Sequence, residues 1–379
     1  MPLISYLTTV RFGFGVLKEL PDDLSALGIK RPLIVTDKGI VAAGLLDRLF
    51  AALPGDNRRL VFDDVPTNPT EEAALAALDL YRGEACDGLV ALGGGSAIDL
   101  AKAVALLATH PEPLSQYAMI EGGVARIRAE VAPLIAIPTT SGTGSEVGRG
   151  SVMNLKDGRK LGIISPHLIP KRAICDPELT LGLPPLLTAA TGMDALSHCI
   201  ESFLTPTYNP PAEGIALDGA RRIVRHLERA VQNGADREAR QELMAGAMEG
   251  GMTFQKGLGA VHGLSHALGS LKEPRLHHGM LNAVLLPPVL RFNAGHVGDK
   301  YERLALAMGL SPDTDLAAFI EDLNARIGLP KSLKDMGVPA SAIPEMAQKA
   351  ARDHCTATNP RPIGAEDYAR LMRDSIGSG

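Results

Sequence analysis

Two blocks of this 379-residue sequence carry side chains able to hold a divalent metal: Asp194 with His198, and His262 followed by His278. Gly192-Met193-Asp194-Ala195-Leu196-Ser197-His198 sets a carboxylate and an imidazole four residues apart, which on a helix puts both on one face. His262-Gly263-Leu264-Ser265-His266 repeats that spacing with two imidazoles, and His278-Gly279 follows. A mixed oxygen and nitrogen set of this kind suits iron(II), zinc or another borderline first-row ion. Packing alone does not account for four such donors in two helix-spaced blocks. His110, His167, His226, His296 and His354 lack that context and read as structural.

The donors need helices to hold them, and the second half of the chain is written for helices. After Leu183-Pro184-Pro185 the sequence is rich in alanine and leucine, with helical stretches expected at 185–204, 213–233, 237–250, 260–270 and 315–327. The first half is different. Short apolar runs at 31–37, 87–92 and 133–138 read as buried strands, alternating with amphipathic segments at 71–82 and 97–110. That alternation predicts a mostly parallel sheet. The expected organisation is an α/β domain over 1–183 and an all-helical domain over 184–379.

Both turns that follow predicted strands suit a nucleotide. Gly93-Gly94-Gly95-Ser96 lies between a strand and a helix, where glycine lets backbone N–H groups approach phosphate and the helix start favours an anion. It matches neither G-x-G-x-x-G nor the Walker pattern, and by itself could be an ordinary tight turn. Thr139-Thr140-Ser141-Gly142-Thr143-Gly144-Ser145 is a second turn of the same kind. Open α/β sheets bind ligands beyond the ends of such strands. Asp37, at the end of an early strand, could accept from a ribose 2′-hydroxyl and repel a 2′-phosphate, favouring NAD over NADP; it is equally suited to cap a helix.

Composition narrows the classes. A formal net charge of −5 with no basic block argues against a nucleic-acid binder, and the absence of Trp removes a stacking platform. Hydrophobic content of 45% is that of an ordinary globular enzyme. Cys86, Cys175, Cys199 and Cys355 show no paired spacing, as in a reducing compartment; Cys199 beside a candidate ligand reads as a packed thiol or a redox group. No stretch is long and apolar enough for a membrane span, and the start lacks a signal-peptide pattern. A cytoplasmic protein without membrane or nucleic-acid partners is expected.

Taken together the motifs resemble the iron-containing (group III) alcohol dehydrogenases over nearly the whole chain. They run in the order 93–102, 138–147, 192–201, 261–266 and 278–287, with Asn359-Pro360-Arg361 as a tail mark. The resemblance implies a Rossmann-like dinucleotide-binding domain followed by an all-α metal-binding domain, the dehydroquinate synthase-like fold, in a homodimer. It implies Asp194, His198, His262 and His278 as ligands of Fe(II) or alternatively Zn(II), with His266 near the nicotinamide as the catalytic proton relay or as a packing group. It implies Gly94, Gly95, Ser96 and Asp99 along the pyrophosphate and Thr139, Thr140 and Thr143 on the phosphate, ribose and nicotinamide side. Lys160 would meet the nicotinamide ribose, Asn68 the adenosine end, and Asp37 would select NAD. Asp99 could instead pair with Lys102 on a helix surface.

One departure stands out. Twelve residues separate His266 from His278, where many members have ten, and the longer loop ends in His277-His278. His278 keeps the His-Gly pair and is the preferred ligand. The expected reaction is hydride exchange between NAD(H) and a small alcohol, aldehyde or ketone. If Lys256, Lys272, Arg275 or His277 faces the pocket, an ω-hydroxy acid or its semialdehyde becomes the substrate. Zinc enzymes resembling glycerol dehydrogenase or dehydroquinate synthase are the near alternatives. A metal-dependent hydrolase would leave both nucleotide turns idle.

Overall fold

A computed structural model describes residues 8–53 and 59–377; the start of the chain, expected to carry no signal peptide, lies outside them. The chain divides into two compact units. Of the described residues, one comprises those within 8–140 and 144–182, the other 141–143 and 183–377.

The first unit is built on a six-stranded sheet in which every pairing is parallel. Its strands are β1 (Thr9–Phe12), β2 (Pro32–Val35), β3 (Leu60–Phe62), β4 (Gly88–Gly93), β5 (Leu134–Pro138) and β8 (Arg172–Cys175), in the order β1-β8-β5-β4-β2-β3. A hairpin of β6 (Gly150–Asn154) and β7 (Lys160–Ile164) stands apart. Strands β4 and β5 are buried along their whole length, which explains why they read as continuous apolar runs. Alternate residues serve opposite faces. Leu33, Val35, Leu89, Ala91, Leu134 and Ala136 pack with helices α4 (Glu71–Gly83) and α5 (Gly95–Leu107). Ile34, Val90, Leu92, Ile135, Ile137 and Ile174 pack with α1 (Leu20–Ala26) and α3 (Leu45–Ala52). Each fully buried Ile or Leu contributes about 1.5–3 kcal/mol, so a sheet covered on both faces is stable without staples.

Strand register decides which residues leave the sheet together. Val35 pairs with Ala91, and Gly93 with Pro138, so β2, β4 and β5 end side by side. The residues just beyond them are Asp37, the Gly93–Gly95 turn and Thr139-Thr140.

The second unit is helical among its described residues: α6 (Pro185–Leu204), α7 (Pro210–Gln232), α8 (Arg237–Met252), α9 (Ala260–Leu268), α10 (His278–Asn293), α11 (Lys300–Met308), α12 (Leu316–Arg326), α13 (Ile343–Ala351) and α14 (Ala365–Ile376). Helix α6 is buried on all sides from Gly192 to Leu204 and packs against α7, α8 and α10. A helix of this kind is apolar or small all round, as Gly192, Ala195, Ser197, Cys199 and Ser202 make it.

Burying the C-terminal end of α6 leaves carbonyls in need of donors. Lys256 supplies them. Its ammonium donates to the carbonyls of Ser202 (2.9 Å), Phe203 (3.2 Å) and Thr205 (2.6 Å), and Lys300 donates to Phe203 and Thr205 at 2.8 Å each. Lys256 is therefore a helix cap at 1% exposure, not a cation facing a substrate pocket. Lys256→Met should destabilise the helical unit by about 2–4 kcal/mol, since buried carbonyls lose a charged donor. Thermal unfolding by circular dichroism reads this, and an unchanged midpoint would rule out the capping role.

Candidate metal centre and nucleotide turns

Helix α6 presents Asp194, His198 and Glu201 on one face, at spacings of four and three. Helix α9 presents His262 and His266 one turn apart, and α10 begins at His278. Three imidazole nitrogens converge on one oxygen. Asp194 Oδ1 lies 3.6 Å from His198 Nε2, 3.9 Å from His262 Nε2 and 3.5 Å from His278 Nε2. Tetrahedral donors bound at about 2.0–2.2 Å lie about 3.3–3.6 Å from one another, so these residues fit a first-row ion. Asp194, His262 and His278 form one group with ligand atoms within 4.8 Å; His198 joins it beside Asp194 and stacks on His262 at 4.6 Å. The Asn282 amide marks the meeting point: its Nδ2 donates to Asp194 Oδ1 at 2.7 Å and lies 3.2 Å from His278 Nε2 and 3.3 Å from His262 Nε2.

Close approach makes this possible. A Cβ on Gly279 would fall 2.1 Å from the Ala190 carbonyl oxygen, so only glycine lets the start of α10 press onto α6 and carry His278 to Asp194. The neighbouring His277 caps α10, its Nδ1 buried and without a hydrogen-bond partner. Of the other cations in that loop, Lys272 and Arg275 are exposed, and Arg275 lies 3.9 Å from Glu273.

Glu201 is absent from the ligands and site residues expected from sequence. Its Oε2 accepts from His262 Nδ1 at 2.6 Å, while Oε1 accepts from the Val261 amide at 2.8 Å. One carboxylate thus caps α9 and fixes the His262 tautomer, leaving the Nε2 lone pair toward Asp194. The spacing Asp194, His198, Glu201 carried the signal: i, i+4, i+7 is a single helix face. Burial sets the charges. It pushes Glu201 up to about 7 against the amide hydrogen bonds that favour its anion, and holds His262 down to about 3 and His198 down to about 4. Both imidazoles are neutral at neutral pH, the form that binds metal.

His266 stands beyond the group. Its ring lies parallel to His278 at 5.5 Å, and its Nδ1 is 3.0 Å from Asp353 Oδ2. His354, read as structural from sequence, also stacks on His266, at 5.7 Å.

In the first unit, the Gly93–Gly95 turn opens α5, which has no side-chain cap, so its leading N–H groups are available to an anion. A Cβ on Gly93 would lie 2.8 Å from Ala97 Cβ, and one on Gly94 3.2 Å from Thr140 Oγ1. Glycine keeps this cradle open. Thr139 packs beside it with a buried, unpartnered hydroxyl. Asp37 takes its capping reading, Oδ1 accepting from the Ile40 amide of α2 (Lys38–Ala42) at 3.0 Å, while Oδ2 lies 3.6 Å from where a Cβ on Gly93 would stand. Lys160 donates to Asn68 at 3.1 Å, and Ser96 to the Thr67 carbonyl, so these three gather at one edge.

Asp99 has a different place. Its oxygens are taken by Ser145 Oγ and the Val152 amide (2.9 Å), and Lys102 donates to Ser145 and to the Gly148 and Gly150 carbonyls. Both are buried, so neither a phosphate contact nor a surface pair describes them. They pin the chain that leaves the second turn. Ser141–Thr143 clusters with the helical unit, where a Cβ on Gly142 would meet Thr191 of α6 at 2.8 Å.

One chain thus carries a doubly covered parallel sheet with a phosphate-type turn and a helical unit with a converging Asp-His set, parts suited to a nucleotide and a metal. Residues 8–177 match the iron-containing alcohol dehydrogenases and residues 188–376 the C-terminal domain of the same family. The chain belongs to the iron-containing alcohol dehydrogenase family and is an oxidoreductase acting on CH–OH groups. It is 54% identical to a 4-hydroxybutyrate dehydrogenase of Cupriavidus necator, over 99% of this chain and 100% of that one. A solved 1,3-propanediol oxidoreductase superposes with a TM-score of 0.92 at 35% identity, covering 98% of this chain and 100% of that one. A sulfoacetaldehyde reductase from Bifidobacterium kashiwanohense, solved with NAD+, gives 0.88 at 30% identity over all of both chains.

Glu201→Gln should weaken Fe(II) binding about 10- to 100-fold while leaving the fold intact, because the His262 partner loses its charge. Equilibrium dialysis with metal analysis measures this; wild-type affinity in the variant would refute the Glu201 role.

Proposed function

We propose that this enzyme interconverts a short ω-hydroxy acid and its semialdehyde using NAD(H) and iron. The observation that carries the metal half is the convergence of Asp194, His198, His262 and His278, with His262 oriented by Glu201. Fe(II) held by these four would act as a Lewis acid on the substrate oxygen, with Zn(II) as the chemical alternative. NAD would take up the hydride.

The chain's own residues do the rest. Gly94, Gly95 and Ser96 would give backbone N–H groups to the pyrophosphate, with Thr139 and Thr140 beside them and Thr143 following in the chain. The Oδ2 of Asp37 would accept from the ribose 2′-hydroxyl and exclude a 2′-phosphate. Lys160, paired with Asn68, would meet a ribose hydroxyl. His266 would take the hydroxyl proton on alcohol oxidation and return it on carbonyl reduction.

The acid specificity is supported by the 4-hydroxybutyrate dehydrogenase likeness. Of the candidate cations, Lys256 is spent on α6 and Lys272 and Arg275 are solvated, which leaves His277, next to His278, to meet a substrate carboxylate.

NADH absorbance with Fe(II)-loaded enzyme tests the reading. Turnover of 4-hydroxybutyrate should exceed that of 1-butanol. Equal use of both alcohols by wild type would remove the acid specificity. His278→Ala should abolish metal binding and turnover, whereas His277→Ala should keep the metal; the reverse would exchange their roles.

A further inference from the structure

His266 has Asp353, His278 and His354 against it. Asp353 follows α13 and caps the short helical turn His354–Thr358, its Oδ1 accepting from the Cys355 amide at 2.8 Å. That contact leaves Oδ2 for His266 Nδ1 at 3.0 Å. The rings of His278 and His354 stack on His266 with interplanar angles of 12° and 22°. His354 Nδ1 lies 3.5 Å from Asp353 Oδ1. The side chains of Asp353 and His266 are 9% and 7% exposed.

We propose that Asp353 is a positioning residue that fixes His266 as the Nδ1–H tautomer, so that Nε2 is the nitrogen available to the reacting hydroxyl, with His354 holding the ring against tilting. A flip of the imidazole would exchange Nδ1 for a carbon at Asp353 and break a buried charge-assisted hydrogen bond. Rings stacked on it at 5.5 and 5.7 Å oppose a tilt of the His266 plane but not that flip. Asp353 removes it. The catalytic consequence rests on the proposed proton-relay role of His266, but the tautomer itself does not depend on it.

The same four residues, His266, Asp353, His354 and Cys355, have ligand atoms within 4.8 Å of one another and could instead hold a second metal ion. Two observations disfavour it. The Asp353 oxygens already have an amide and an imidazole as partners, and burial pushes the Cys355 thiol well above its ordinary range, away from the thiolate a metal needs.

The test begins with 15N spectra of the imidazoles in the metal-free protein, His266 being assigned by difference with His266→Ala. The Nδ1–H form should dominate at His266 and give way to the Nε2–H form in Asp353→Asn, whose amide can donate to Nδ1. This holds or fails whatever the substrate turns out to be. In the Fe(II)-loaded enzyme, Asp353→Asn should lower kcat about 100-fold with KM little changed and one metal per chain retained. In a His266→Ala background it should cost nothing further. A dominant Nε2–H form in wild type, a full additional loss in the double variant, or a second metal ion lost with Asp353 would each overturn the assignment.

Discussion

The Glu201 carboxylate is the contact on which the helical unit's chemistry depends. It is buried, joins α6 to the first turn of α9, and turns His262 toward Asp194 at the same time. A lone buried carboxylate would be costly, so its three amide and imidazole donors are what permit it there. A Cβ on Gly259 would stand 2.8 Å from Glu201 Oε1, which shows how tightly that capping turn is drawn in. Orientation of the ligand and closure of the helix start are thus one event.

Two other constraints complete the arrangement. Gly279 allows α10 to touch α6, and the ammonium groups of Lys256 and Lys300 settle the buried end of α6. Helix α6 therefore holds its position at both ends while offering Asp194, His198 and Glu201 from its middle. In the first unit the equivalent constraint is sheet register. Three parallel strands in step bring Asp37, the glycine turn and Thr139-Thr140 together, and the Asp99–Ser145–Lys102 network holds the following segment. The two units solve the same problem by different means: helix packing gathers ligands, and strand register gathers backbone donors.

Much of this is legible in the sequence. The buried strands at 87–92 and 133–138 stand out as apolar runs, and the i, i+4 pairs name the ligand-bearing helices. The family likeness and the α/β-then-helical order come from motifs in sequence order. Less legible are residues whose role depends on a partner distant in the chain. Glu201 and His262 are sixty-one positions apart, and His266 and Asp353 eighty-seven. Lys256 looks like a substrate cation because nothing local says that its ammonium ends on α6 carbonyls. Asp99 looks like a phosphate neighbour because its true partners, Ser145 and Val152, lie in another element.

By itself, then, the sequence determined the fold class, the family and the candidate ligand set, because these rest on local periodicity and on residue types at short spacing. Only the tertiary structure decided which nitrogen of His262 faces Asp194, that His278 rather than His277 stands 3.5 Å from it, and that His266 is gripped by Asp353. Those outcomes depend on where helices separated in sequence come to touch, and that is set by whole-unit packing around α6 rather than by any segment's own preference.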